Sequence, residues 1–569
     1  MKITYIFRNF ILAIIFICSV HIVNAQDAKT IISFIKKEVD RNKAELKIDK
    51  LQPSFFIGYT LIDSKHLNVN ASLGALINSS QSSQRVGYPT LLVGSYARNN
   101  SEFLDMNSMY GYGFYPRSVS LENDPIGIAT RIWMDLDGLY KDAAEKYEAK
   151  IATMRQQNMT EEELAVIDFE KIDPVDIFLK PADVNQDKKY WEDYVRKAST
   201  VLNKYPELTR SNISLYNRNT MLYYYNTDNS QYAIPVPYYR LHLHVEAMTK
   251  DGQNLYDNLY IEYPTFEQMP NVDDFTKNCE AFIANFLQLL NAPMADDAYS
   301  GPVLFEDQAA VEAVQDKFMH QQSLCAKTKP VASDNVRNRF RGNYRLNPNN
   351  LEMMMNKKVI SRSLSIKSLT GTQEYNGIKL EGYYPVDFEG AVPEKEFFLI
   401  ENGVLKSMLN RRTPTKRVPA SNGHYRFNYN NMSPQIAPGN ILVTSNDTYS
   451  KEDLKRKLLD AAKEEDLDFA YIVRRMWGND ITMIYKVYVA DGREELVRGA
   501  KFEDFTLKSF KRVLGAAKEN YVRHTANFGS LATYVVPDGI LFEELEITRN
   551  NNITFETPFV VPQPVAISK

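Results

Sequence analysis

Three stretches bring together side chains able to do chemistry. In Tyr239-Arg240-Leu241-His242-Leu243-His244-Val245-Glu246, polar and apolar residues alternate. On a strand, residues i, i+2 and i+4 share a face. His242, His244 and Glu246 would then stand in a row, with imidazole and carboxylate donors suited to a transition metal. Arg240 falls on the same face and opposes a cation, which favours a polar, solvated strand face. In the second stretch, His424 and Arg426 follow Ser421-Asn422-Gly423. Lining a cleft, they would hold a peptide carboxylate or carbonyl; a plain polar turn is the competing reading. In the third, Arg411, Arg412, Lys416 and Arg417 form a basic cluster that suits an acidic ligand, although a solvated surface is the ordinary explanation.

Other familiar chemistries lack their signatures. The sequence has no GxSxG elbow, P-loop, dinucleotide fingerprint or EF-hand loop, and no spacing ties a Ser and an Asp to one histidine. A net charge of −4 gives no general attraction to nucleic acid, so no nucleic-acid partner is expected. The composition, 44% hydrophobic and 24% charged over 569 residues, is that of a folded chain long enough for two or three domains.

The N-terminus carries its own signal. Lys2 and Arg8 precede the apolar run Phe10 to Val20, and Val23-Asn24-Ala25 offers small residues for cleavage. Residues 1–25 read as a secretory signal peptide, which makes the chain exported, periplasmic or extracellular. The run falls short of the ~20 residues of a membrane span, and no later segment is long and apolar enough, so no membrane span is expected. Phe16 and Ile17 argue against lipidation of Cys18. Cys279 and Cys325 remain after cleavage, either as one disulfide or as two buried thiols.

The elements that must position these residues follow from periodicity. Ile31, Ile32, Ile35 and Val39 predict a helix over 28–49. Phe55 to Leu61 and Leu91 to Tyr96 predict short strands. Asp124-Pro125 caps a long helix to about Met159. Residues 160–187 are charged and irregular and read as a surface insertion, and Tyr190 to Tyr205 reads as a helix. Strands follow over 211–262, and Phe275 to Leu290 is an amphipathic helix. The loop before Gly301 marks a domain boundary near 297/298. Beyond it come a strand at Pro302 to Phe305 and a helix over Gln308 to Gln321. Asn402-Gly403 marks a hairpin. Helices are expected at Glu452 to Glu465 and Leu507 to Ala517, and a strand at Leu541 to Ile547. The fold class is α+β.

An ordered series of stretches resembles the TldD/PmbA family: 96–103 (YARNNSEF), 121–125 (LENDP), 301–306 (GPVLFE), 399–406 (LIENGVLK), 412–414 (RTP), 421–424 (SNGH) and 541–545 (LFEEL). The resemblance implies an N-terminal α+β domain (26–297), a C-terminal domain dominated by antiparallel sheet (298–569), and dimeric assembly. Catalytic members carry His-Glu-x-x-x-His on the helix after the Pro-Val-Leu strand. Its histidines bind zinc, its glutamate acts as general base, and a cysteine from the C-terminal region is the third ligand. Here the same helix reads Gln315-Asp316-Lys317-Phe318-Met319-His320, and no cysteine follows Cys325. On that resemblance the zinc motif is degenerate and no cofactor is expected, with His320 read as a lone helix histidine.

The reading that follows is a non-catalytic, PmbA-like member. It would bind unfolded peptide or pair with itself or a catalytic TldD-like homologue. Glu401, Asn402, Arg412, His424, Arg426, Glu543 and Glu544 are the candidate cleft or interface residues. Two alternatives stay open. One is an active metallopeptidase with zinc at a site rebuilt from His242, His244 and Glu246; the other is an envelope interaction protein with no peptide role.

Overall fold

The structure is a computed structural model, and it describes residues 27–109, 116–320, 323–328, 330–339, 351–526 and 529–557, with 559 and 561. The expected signal peptide, 1–25, lies outside the described residues. Helix α1 (27–45) buries Ile31, Ile32, Ile35 and Val39, the stripe that predicted it.

Strands β1 (Ser54–Ser72) and β2 (Ala75–Val93) are far longer than the short runs expected. They pair antiparallel along nearly their whole length. Leu73 and Gly74, with φ of 53° and 85°, make a two-residue turn whose twist suits a hairpin. The polar middle of β2, Asn78 to Gln84, hid this strand from a search for apolar runs.

Helix α2 (Pro125–Gln156) starts as predicted, with the Asp124 carboxylate accepting the Gly127 N–H at 2.6 Å. Its Ile128, Ile132, Leu136 and Tyr140 pack with α1 on the face of the sheet that carries Ile57, Tyr59 and Leu61. The segment 160–187 is irregular along much of its length, but its middle is not on the surface. Phe169 is buried, and Asp168 binds the buried Lys150 ammonium at 2.7 Å. An apolar ring and a carboxylate with a buried partner hold this stretch in the core.

Helix α3 (Lys188–Ser199) leads to β3 (Leu208–Asn226), β4 (Gln231–Pro235), β5 (Tyr238–Met248) and β6 (Asn254–Tyr263). These extend the first sheet. β3 lies beside β1, its first half pairs β5, its second half pairs β4, and β6 is the neighbour of β5. Helices α3 and α4 (Val272–Gln288) cover the other half of the helix-bearing face, burying Leu67, Val69, Leu215, Leu241, Leu243 and Val245. One face of a long sheet is thus roofed by four helices.

The second half is β-rich, as expected for an α+β chain. Strand β7 (Ala298–Glu306) is followed by the seven-residue helix α5 (Gln308–Val314). The expected helix then changes character, because Gln315–His320 is a π-helix turn. Wider turns of this kind insert a residue without ending the helix and concentrate at functional positions.

Two sheets follow. One contains β8 (Leu364–Ser368), β9 (Phe397–Glu401), β10 (Val404–Leu405) and β13 (Asn440–Ser445) together with β16 (Asn520–Thr525) and β17 (Ala532–Pro537). The other contains β7 with β14 (Phe469–Trp477), β15 (Asp480–Tyr488) and β18 (Gly539–Arg549). A hairpin of β11 (Tyr425–Asn428) and β12 (Ser433–Ile436) stands apart from both. Helix α6 (Lys451–Glu464) is capped by Ser450, whose hydroxyl accepts the Asp453 N–H at 3.1 Å. The Asn402-Gly403 turn forms as predicted, with φ of 47° and 77°.

One expected helix is absent. Leu507–Lys511 is a single 3-10 turn, and Val513–Ala517 is a strand paired with β18. The apolar spacing there fits a helix locally, but the hydrogen-bonding edge offered by β18 overrides it. A Cβ at Gly515 would lie 2.7 Å from the Tyr449 ring, so this close packing needs the glycine. Cys279 and Cys325 are separate buried thiols, each pushed up to about 12 by burial, and no disulfide joins them. Among the described residues, no helix is long and apolar enough to cross a membrane.

Candidate functional site

The helix after β7 places Gln315 and Asp316 at the start of the π-turn. Gln315 is buried, and among the described residues its Nε2 finds no acceptor. The Asp316 carboxylate is engaged by the Lys317 ammonium at 2.6 Å. Lys317 is itself buried, donates to Asn479 Oδ1 at 2.9 Å and sits 4.8 Å from the Phe505 ring centre. The His320 side chain lies outside the described residues. This donor set does not fit zinc. An amide stands where the first imidazole would be, and a fixed cation already balances the carboxylate.

The residues expected to line a cleft are brought together in part, but in the interior. Arg412 is fully buried. Its Nε donates to the Glu170 carbonyl at 2.9 Å, its backbone N–H to Glu389 Oε2 at 3.1 Å, and its Nη2 lies 3.4 Å from Asp228 Oδ2. The guanidinium lies 4.1 Å from the Phe169 ring centre. Arg411 completes the pairing of Glu389 at 2.6 Å and covers Tyr425 at 4.1 Å. Beside them the Asp387 carboxylate accepts backbone N–H groups of Glu389, Ala391 and Tyr425. Burial and the Glu389 charge nonetheless push it up to about 7.

His424 is also fully buried. Its Nδ1 lies 2.8 Å from the Asn422 carbonyl, and its Nε2 3.1 Å from Thr370 Oγ1. Burial holds its pKa down at about 3, so it is a neutral structural imidazole. Arg426 is buried too, donating to the Pro438 carbonyl and lying 4.4 Å from the Tyr384 ring centre. Burial lowers its pKa. The reading of Arg412, His424 and Arg426 as cleft residues is therefore corrected: Arg412 braces the joint between the two halves of the chain, and His424 and Arg426 are packed inside the second half. The aromatic residues around them, Phe169 and Tyr384, carried no polar signal that would have marked them.

The other candidates lie elsewhere on the surface. Glu401 pairs weakly with Lys406 at 3.6 Å and Asn402 is exposed at the hairpin tip. Glu543 and Glu544 hold Arg512 at 2.8 and 2.7 Å. Among the described residues, no hydrogen bond or ion pair joins the two sites.

A third region is the uncovered face of the first sheet. The pairing register sets its side chains in rows: His66, Arg218 and Tyr238; then Asn68, Tyr216, Arg240 and Glu262; then Asn70, Ser214, His242 and Tyr260; then Asn212, His244 and Asn258. His242 Nε2 and His244 Nδ1 both meet Asn258 Oδ1, at 2.8 and 2.9 Å, and His244 Nε2 meets Glu246 Oε1 at 2.9 Å. Both nitrogens of His244 are thus engaged. His242 stacks on Tyr260 at 4.6 Å, and burial lowers its pKa. Among the described residues, no three His, Cys, Asp or Glu side chains are grouped to hold a metal.

Arg240 is neutralised by Glu262 at 2.6 Å, so its charge does not stand bare on the face. Glu262 ties the face to the second half of the chain. Its carboxylate accepts the Tyr238 hydroxyl at 2.6 Å and the Ala526 N–H at 3.0 Å. Arg475 Nη2 reaches back to Asp257 Oδ1 at 2.9 Å, and burial still pushes Asp257 up to about 6. The rows of this face were legible from strand alternation, but Arg218 and His66 joined them only through the register.

Residues 341–549 match the family model for the PmbA/TldA metallopeptidase C-terminal domain. No curated protein matches the chain. The fold is similar to that of a protein from Thermotoga maritima named as a modulator of DNA gyrase, with a TM-score of 0.56 at 14% identity, covering 90% of this chain and 99% of that one. It is similar also to TldE from Thermococcus kodakarensis, with a TM-score of 0.52 at 11% identity over 87% and 97% of the two chains. A Bacteroides thetaiotaomicron protein, again named as a modulator of DNA gyrase, gives 0.53 at 11% identity over 90% and 98%. Residues 341–549 thus match the PmbA/TldA C-terminal domain family, and the chain as a whole shares the fold of these structures.

Proposed function

We propose that the chain is an exported, non-catalytic TldD/PmbA protein that binds unfolded peptide and pairs with itself or with a catalytic TldD-like homologue. The observation that carries the non-catalytic reading is the contact of Asp316 with Lys317 at the degenerate motif. A carboxylate tied to a buried ammonium is a poor general base, and the neighbouring amide of Gln315 is a poor zinc ligand. The uncovered sheet face supports the binding half of the reading. It offers amides, imidazoles and tyrosine rings, with Tyr216 and Tyr260 each 38% exposed. Such a surface holds a chain by hydrogen bonds and ring contacts and does no chemistry on it.

Export rests on residues 1–25, and pairing rests on the resemblance to a family whose members assemble. The gyrase role in two neighbours' names belongs to those proteins, and an exported chain does not meet cytoplasmic DNA. The test is pull-down from the native envelope fraction, with peptide binding measured on the purified chain. A bound TldD-like homologue or a self-dimer, together with binding of unfolded peptide, is expected. A strictly monomeric chain that binds no unfolded peptide contradicts the proposal.

A further inference from the structure

The uncovered face ends abruptly. Beyond the row of His66 and Arg218, β1 and β3 continue with Ser64 and Ile62 and with Thr220 and Leu222, all buried. There the face is packed under Phe388, Phe427, Tyr429 and Leu531 from the second half of the chain. Arg218 stands at this closed end. It is half-buried and donates to the Tyr429 carbonyl. Among the described residues, no carboxylate lies within ion-pair distance of it.

The other guanidiniums of the face are compensated, Arg240 by Glu262 and Arg210 by Glu246 at 3.2 Å. The neighbouring His66 adds no charge, since burial and Arg218 hold its pKa down at about 4 and its Nε2 rests 2.7 Å from Ser64 Oγ. The surroundings of Arg218 are tyrosines. Tyr238 is its cross-strand partner and stacks on Tyr429 at 4.7 Å, and Tyr216 precedes it on the same face. A partly desolvated guanidinium without a counter-ion is unfavourable by itself, and its planar fork is the shape a carboxylate fits with two hydrogen bonds.

We propose that Arg218 is the anchor of a subsite for the C-terminal carboxylate of an unfolded peptide lying along the sheet face. The closed end is what selects a chain terminus. A peptide running from the His244 row toward Arg218 meets the packed wall of Tyr429 and Phe388, so its chain stops where the guanidinium waits. Tyr216 and Tyr260 then flank its last side chains. This rests on the peptide-binding reading above and adds to it a direction and an end group.

The test uses the full mature chain and one fluorescent unfolded peptide in three forms: free C-terminal acid, C-terminal amide, and amide with glutamate as its last residue. The free acid is expected to bind roughly tenfold or more tighter than the amide, the size of a charge-assisted contact. Arg218→Gln should abolish the preference, so that acid and amide bind alike, with circular dichroism and urea unfolding reporting an intact fold. Arg218→Lys should keep part of the preference.

Equal binding of acid and amide by the unaltered chain overturns the subsite and leaves peptide binding standing. A glutamate-ended amide that binds as tightly as the acid overturns the assignment to a chain terminus. Binding of none of the three overturns both proposals together. If Arg218→Gln does not fold, the comparison of acid with amide on the unaltered chain still decides.

Discussion

The braced joint around Arg412 and the open sheet face around His242 are built from the same residue types, yet their charges are handled in opposite ways. In and around the joint the groups are mostly withdrawn from water and paired: the Arg411 guanidinium and the Arg412 backbone N–H with Glu389, the Arg412 guanidinium with Asp228 and the Glu170 carbonyl, Asp387 with three backbone N–H groups and, within the second half, His424 with hydroxyls and a carbonyl. Such a network fixes one geometry, because removing any member leaves a charge or donor buried without a partner. On the sheet face, the side chains are half-buried, bonded mostly to one another, and leave Arg218 without a carboxylate. The difference separates the structural role of the joint from the binding role proposed for the face better than residue type does. Histidine and arginine in a turn looked like a cleft, and their burial reverses that impression, whereas the histidines on the strand stay half-exposed on an open face.

The comparison breaks first if the joint tolerates change. Arg412→Ala leaves Asp228 and the Glu170 carbonyl short of their buried partner and opens space beside Phe169, so it should cost about 3–5 kcal/mol of stability. Urea unfolding measures this, and a loss under about 1 kcal/mol, the scale of a surface pair, contradicts the structural role.

His424 should set a pH dependence. Its folded pKa, about 3, lies below the ordinary 6.5, so the unfolded chain binds the proton more readily. Its contribution is fully present above pH 6.5 and is lost as pH falls from there toward 3, with a slope of up to about 1.4 kcal/mol per pH unit. His424→Gln should flatten the fall in unfolding free energy between pH 6.5 and 4 relative to the unaltered chain. An unchanged slope contradicts a buried neutral imidazole.

On the open face the effects should be smaller. His244→Ala removes hydrogen bonds to Asn258 and Glu246 at a half-exposed position and should cost about 0.5–1.5 kcal/mol. A cost as large as that of Arg412→Ala would erase the contrast between the regions. Smallest of all, Glu544→Ala loses an exposed contact with Arg512 that water and salt screen, and the change should stay within about 0.5 kcal/mol in thermal unfolding.

Much of this architecture was legible beforehand because local physics decided it. Asp124-Pro125, Ser450 and Asn402-Gly403 act within a few residues of themselves, and each cap or turn formed where its chemistry required. The strand alternation of 239–246 gave the correct face to His242 and His244. What failed depended on distant chain. The Leu507 to Ala517 segment became a strand because β18 offered an edge. Phe169 entered the core because Arg412, more than two hundred residues away, needed a ring and a carbonyl to bury against. The π-turn at Gln315 and the placement of Arg218 beneath a wall from the other half of the chain also left no mark on local spacing.

The central claim is that the motif helix no longer supports zinc chemistry, and the metal content of the purified chain tests it most directly. Protein prepared without chelator and measured by plasma mass spectrometry, beside an assay for cleavage of unfolded peptide, should contain far less than one zinc per chain and cleave nothing. Stoichiometric zinc that disappears with cleavage on His320→Ala would return the active site to the helix after β7, and stoichiometric zinc lost instead on His242→Ala would move it to the sheet face; either result contradicts the account.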